Sequence, residues 1–182
     1  MSKKTHFPDL NGAIRVMPES ERSAWRPSAY TLVQHNEEIL TVRPRWSSVF
    51  DLTGGGLDLG ETIQEAAERE TEEESGLRVR LLDPMPFHIH QGNVFYQETD
   101  GPDPIDCYRH VLGFFFHAVL VSDKVNEEIL KKHETAEVRW TPIRHIEDWL
   151  AGGRDLNIRS FYREPLLEGL ARPQAGRGGW KG

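Results

Sequence analysis

The chain has 182 residues, 37% of them hydrophobic, which is enough for one domain with its own core and too little for a second full domain. Its formal charge of -7, from 29 acidic and 22 basic residues, argues against long nucleic acid or an anionic membrane as partner and suits a cation-loading site. The opening MSKKTHFPDL lacks an apolar signal core, and no apolar run nears the ~20 residues of a membrane span, so a soluble, cytoplasmic protein is expected. Cys107 is the single cysteine, which leaves no intrachain disulfide and reads as a small buried hydrophobe.

In chain order, residues 1–26 read as an extended arm, with Ala13 to Met17 able to pair as a short strand. Residues 27–171 form the main domain. Ala29 to Val33 and Glu38 to Val42 have the pattern of two strands joined by a tight turn at Asn36-Glu37. Val49 to Leu52 leads into Gly54-Gly55-Gly56, and Thr62 opens a helix that runs to Ser75 and stops at Gly76. Leu77 to Leu82, Phe87 to Gln97 and Tyr108 to Val121 read as strands, and Glu98 to Asp106 as a surface loop. A polar segment, residues 122–136, precedes a short strand, Glu137 to Trp140. Pro142 then starts a helix with an Ile143, Ile146, Trp149 and Leu150 face, and a last helix is expected over Ile158 to Leu170. The Gly-rich residues 172–182 read as a flexible tail.

The helix from Thr62 carries the chemistry. Thr62-Ile63-Gln64-Glu65 has the form of a capping box, in which hydroxyl and carboxylate each satisfy one orphan amide. At about 100° per residue, Glu70 and Glu74 return to the direction of Ile63 and Ala67, and Glu73 joins them in an i, i+3, i+4 cluster. A solvated acidic face and a cation site both use such residues. The cation better explains carboxylates where a core-facing helix would carry leucine, because a hard divalent ion relieves their mutual repulsion. The glycines upstream suit either close approach to a phosphate or a tight strand-to-helix turn.

Gly55, Glu61, Arg69, Glu70, Glu73, Glu74, Gly76 and Leu77 stand in the order and spacing of the Nudix box, and this stretch of the chain resembles that family. Thr71 in an apolar slot and Thr53, where many relatives have Pro, depart from the pattern. The resemblance implies an α/β/α sandwich around a mixed β-sheet, with Mg²⁺ or Mn²⁺ as cofactor and hydrolysis of a nucleoside diphosphate linked to another moiety. It makes Glu70, Glu73 and Glu74 metal ligands, with a backbone oxygen of Gly55 as a further one. It also makes Glu61 a supporting acid and Arg69 the group that holds the acids by ion pairing. A base from the box or from the loop before the last strand is implied, which nominates Glu70, Glu134 and Glu137.

Gly55, Gly56, Trp46 and Arg43 are the substrate contacts expected, with Trp46, Phe95 and Tyr96 able to stack a base or simply pack. His88 and His90 share one strand face, where a structural role is weighed against substrate contact, and zinc is disfavoured for want of a third ligand with motif-like spacing. The leading expectation is an NDP-sugar substrate such as ADP-ribose, with the arm exchanged in a homodimer. The alternatives are a nucleoside triphosphate pyrophosphohydrolase and a non-catalytic nucleotide-sensing module.

Overall fold

The computed structural model describes residues 5–9, 13–98, 105–132, 134–154 and 156–172. Two short strands of the arm, β1 (His6–Pro8) and β2 (Ile14–Val16), pair antiparallel. Strands β3 (Ser23–His35) and β4 (Glu38–Pro44) meet at Asn36 and Glu37, whose φ values of 47° and 63° are the two positive angles that a tight type I′ hairpin requires. Strand β5 (Gly54–Gly56), helix α1 (Ile63–Ser75), β6 (Val79–Leu81), β7 (His88–Glu98) and β8 (Ile105–Leu120) follow. Then come α2 (Glu127–Lys132), β9 (Thr135–Pro142), α3 (Ile143–Leu150), a 3-10 turn (Ser160–Tyr162) and α4 (Arg163–Ala171).

The main sheet runs β6-β8-β3-β4-β9, with β5 beside β3 and β7 beside β8. Its parallel pair is β3 with β8, from Ser23 opposite Tyr108 to Val33 opposite Ala118, and the other pairings are antiparallel. Alternation along β3 divides the core. Ala29 packs with Phe116 against Ala66 and Ala67 of α1, whereas Leu32 packs with Phe115 against Ile146 of α3 and Leu166 of α4. Helices therefore cover both faces of a mixed sheet, as an α/β/α sandwich requires.

Several boundaries move. Strand β3 begins at Ser23, inside the stretch read as arm, because Ser23 to Arg26 already pair with β8. The polar segment before β9 contains α2. The last helix starts at Arg163 rather than Ile158: Ile158 bridges to Phe50, and Pro165 is tolerated only in a helix's first turn. The loop at 99–104 and the tail from 173 lie outside the described residues. Phe95 is buried with Phe7 and Tyr108, so it packs and does not stack a base. Cys107 is buried as well. Among the described residues no helix is long and apolar enough to cross a membrane.

Candidate active site

Helix α1 starts and stops as its sequence dictates. The Glu65 amide donates to Thr62 Oγ1 at 3.2 Å, the Thr62 amide to Glu65 Oε2 at 2.8 Å, and Gly76 closes the helix at φ 71°. Its inner stripe is small and partly polar: Ala66, Ala67, Thr71 and Ser75 are buried. Small residues let the helix sit close to β3, and this brings Glu70 and Glu74 beside the glycine strand.

Strand β5 crosses that flank of the helix. The Gly54 amide donates to Glu74 Oε2 at 2.9 Å. A Cβ on Gly55 would lie 2.6 Å from the Glu70 carboxylate, so the glycine makes room for that acid. Arg69 ties the remaining acids together. It donates to Glu61 at 2.7 and 3.0 Å, to Glu73 at 2.8 Å and to the Gly56 carbonyl at 3.1 Å, and pairs with Glu70 at 3.0 Å.

Their environments pull these acids apart electrostatically. Arg69 and the Asp58 amide hold the Glu61 carboxyl down at about 2. Burial pushes the Glu70 carboxyl up despite Arg69. Glu74 is raised well above the ordinary range by burial, and the charges of Glu70, Asp51 and Glu73 add to that. Half-buried carboxylates at this density suit a hard divalent cation, and Glu70, Glu73 and Glu74 with the backbone carbonyls of the glycine strand offer oxygen donors of the right kind.

The two departures from the box pattern explain each other. Thr71 Oγ1 lies 2.7 Å from Thr31 Oγ1 and 3.2 Å from Thr53 Oγ1, and Thr31 and Thr53 are 2.6 Å apart. Thr71 also reaches the Ala67 carbonyl at 2.8 Å. A hydroxyl at 71 in place of an apolar side chain is matched by hydroxyls at 31 and 53, so the helix is tied to the sheet under the acids, not loosened there.

The other nominated residues form a second group at the β4–β9 end. Glu137 pairs with Arg43 at 3.1 Å and with Arg139 at 2.8 Å, and Trp46 Nε1 donates to Glu134 at 3.1 Å. The Arg139 and Arg43 guanidiniums hold Glu137 below the usual carboxylate range, which ill suits a general base. Trp46 is exposed, with the Arg159 guanidinium 5.7 Å from its ring centroid.

Two further groups escaped the sequence reading. Asp51 and Arg159 form a bidentate pair at 2.7 and 2.9 Å, both largely buried, and the Asp51 charge raises Glu74. Arg26 lies against Gly56, 3.2 Å from where a Cβ would stand, and donates to the Tyr96 hydroxyl at 3.3 Å, while Arg109 sits 5.8 Å from the same ring. Proximity of Asp51 to the glycines was a usable signal. Nothing local marked Arg26.

An acidic helix laid against a glycine strand in an α/β/α sandwich defines a class of cation-assisted hydrolases. The NUDIX domain model matches residues 24–164, and the chain belongs to that family. Solved structures with a similar fold include a NUDIX family hydrolase from Clostridium perfringens, at 19% identity and a TM-score of 0.54 over 80% of this chain and 97% of that one. An ADP-ribose pyrophosphatase from Streptococcus suis shares 16% identity with a TM-score of 0.53, over 82% and 93%. A MutT NUDIX hydrolase from Burkholderia pseudomallei shares 16% with a TM-score of 0.52, over 79% and 97%. At these identities the likeness carries the fold. No curated protein matches the chain in sequence. With the acids and glycines of the box in place, this family member is a pyrophosphohydrolase, and the family generally works with divalent metal on small nucleotides.

Proposed function

We propose that the chain cleaves the diphosphate bond of a nucleoside diphosphate joined to a sugar, of the ADP-ribose kind, with Mg²⁺ or Mn²⁺. The carrying observation is the convergence of Glu70, Glu73 and Glu74 beside Gly54–Gly56, with Arg69 bound to Glu61, Glu70 and Glu73. Divalent cations bound there supply charge neutralisation on the diphosphate and acidify the attacking water. Glu70, Glu73 and Glu74 hold them, while Arg69 and Glu61 fix the carboxylate geometry. Gly55 makes room for the Glu70 carboxylate, and Arg26 stands beside Gly56 to take a phosphate charge. Glu70 and Glu134 are the carboxylates assigned to accept the water's proton, since Glu137 is tied to two arginines.

The sugar-nucleotide preference draws support from the arm and from two arginines gathered at Tyr96. Phe7 is buried against Phe95 and Tyr108, while on the opposite face of β7 the Arg26 and Arg109 guanidiniums lie 5.7 and 5.8 Å from the Tyr96 ring and can grip a second polar moiety. The Streptococcus suis neighbour is an ADP-ribose pyrophosphatase. A homodimer through the arm belongs to this reading, with Ile14, Val16 and Trp25 offering exposed apolar surface. A monomer in sedimentation would remove that part.

Incubation with Mg²⁺ and a panel of NDP-sugars, dinucleoside polyphosphates and nucleoside triphosphates tests the substrate. Nucleoside monophosphate and sugar phosphate are the expected products. Pyrophosphate released only from triphosphates would replace this reading with a MutT-type one, and tight binding with no turnover would leave a nucleotide sensor.

A further inference from the structure

Strand β7 carries a cluster outside the acidic site. His88 and His90 project from one face of the strand, their rings 5.9 Å apart and 23° from parallel. Helix α4 brings Glu164 and Glu168 over them. Glu164 Oε2 is 3.2 Å from His90 Nδ1, and Glu168 Oε2 is 2.5 Å from His88 Nδ1. One donor atom from each of His88, His90 and Glu164 lies within 4.8 Å of the others.

The tautomer of His88 matters here. An ionised carboxylate only accepts hydrogen bonds, so Glu168 places the His88 proton on Nδ1 and leaves a lone pair on Nε2. That Nε2 is buried and has no hydrogen-bond partner among the described residues. Buried polar atoms without partners are rare, and an ion is one of the things that explains them. A histidine whose one nitrogen is held by a carboxylate while the other faces inward bare is also the arrangement that orients metal-binding imidazoles.

We propose that His88, His90 and Glu164 form a second cation site, built for a borderline divalent ion such as zinc, which clamps α4 onto β7 with Glu168 orienting His88. Two imidazoles and one carboxylate favour zinc over magnesium, the reverse of the all-oxygen donors on α1. Metal–nitrogen bonds of about 2.0–2.1 Å in a tetrahedron space their donors about 3.3 Å apart. The His90–Glu164 separation of 3.2 Å already matches that edge. Glu164, with a side chain 70% exposed at the start of α4, supplies the adjustment the third donor needs. The clamp bears on the rest of the fold through Phe161, which meets His90 edge-on at 4.9 Å and Tyr30 at 5.8 Å.

The full chain, in excess Mg²⁺ to occupy the acidic helix, is titrated with Co²⁺ and then Zn²⁺. One Co²⁺ per chain should give the intense visible bands of low-coordinate, nitrogen-ligated cobalt, and Zn²⁺ should displace it. Glu164→Gln and His90→Asn should weaken this binding at least about tenfold, and Glu168→Gln about 10–100-fold, while Glu73→Gln leaves it unchanged. Zn²⁺ should raise the Tm of the unaltered chain and not that of His90→Asn. Circular dichroism establishes that each variant is folded, and Glu164→Gln changes an exposed side chain. Absence of the bands, unchanged Co²⁺ affinity in both Glu164→Gln and His90→Asn, or loss of the bands in Glu73→Gln would overturn the site and leave a hydrogen-bonded His–Glu latch.

Discussion

Two arginine–glutamate groups in this chain look alike in sequence and differ in kind. At α1 and the turn before it, Glu61, Glu70 and Glu73 share Arg69, and the Glu74 carboxylate beside them accepts from the Gly54 backbone amide. At the β4–β9 end the ratio inverts, with Glu137 between Arg43 and Arg139. The first group is over-supplied with negative charge and half-buried. The second is satisfied and partly open to solvent. A surplus of desolvated carboxylate is unstable by itself and becomes useful when a cation completes it, whereas a balanced surface pair asks for nothing more.

Substitution on α1 should separate the groups most sharply. Glu73→Gln or Glu74→Gln should cut turnover by about a hundredfold or more, the scale of losing roughly 3 kcal/mol of transition-state stabilisation, with the circular dichroism spectrum preserved. Steady-state kinetics with Mg²⁺ checks this, and near-normal activity in both variants would remove the metal assignment.

Glu61 offers a pH-resolved test of the same surplus. Its carboxyl lies at about 2 in the fold against an ordinary 4.5, so it stabilises the native state above about 4.5 and that contribution fades as pH falls towards about 2. Glu61→Gln should therefore be less stable than the unaltered chain at neutral pH and match it near pH 2, as followed by urea midpoints across that range. A deficit that stays constant with pH would mean that Glu61 acts by packing and not by its charge.

How much of this was legible depends on chain distance. The box, its capping box and the Asn36-Glu37 hairpin are contiguous, and their periodicity and turn chemistry speak for themselves. Asp51 and Arg159 are separated by 108 positions, and no local pattern joins them. The parallel pairing of β3 with β8, which gathers Arg26 to the site, is equally silent in sequence. Thr53 and Thr71 were visible but read as irregularities, because Thr31, the residue that makes sense of them, sits on another element.

That triad predicts a smaller effect with an unexpected sign. Thr71→Val restores the apolar residue common in the box, yet it removes the hydroxyl that bonds Thr31 and the Ala67 carbonyl. The variant should lose about 1 kcal/mol, read from denaturant unfolding, and a double-mutant cycle with Thr53→Val should show coupling. Additive losses would mean that the three hydroxyls do not act as one network.

The smallest effect belongs to the balanced group. Glu137→Gln removes a carboxylate that is 36% exposed and shared by two arginines, an arrangement worth about 0–1 kcal/mol when solvated. Turnover should stay within about threefold of the unaltered chain, because a carboxylate held low by two guanidiniums is a weak proton acceptor at neutral pH. Should turnover collapse while KM and the urea midpoint stay put, Glu137 would be the base after all. Its two arginines would then have to release it when substrate binds, and the contrast between the groups would lie in timing instead of charge.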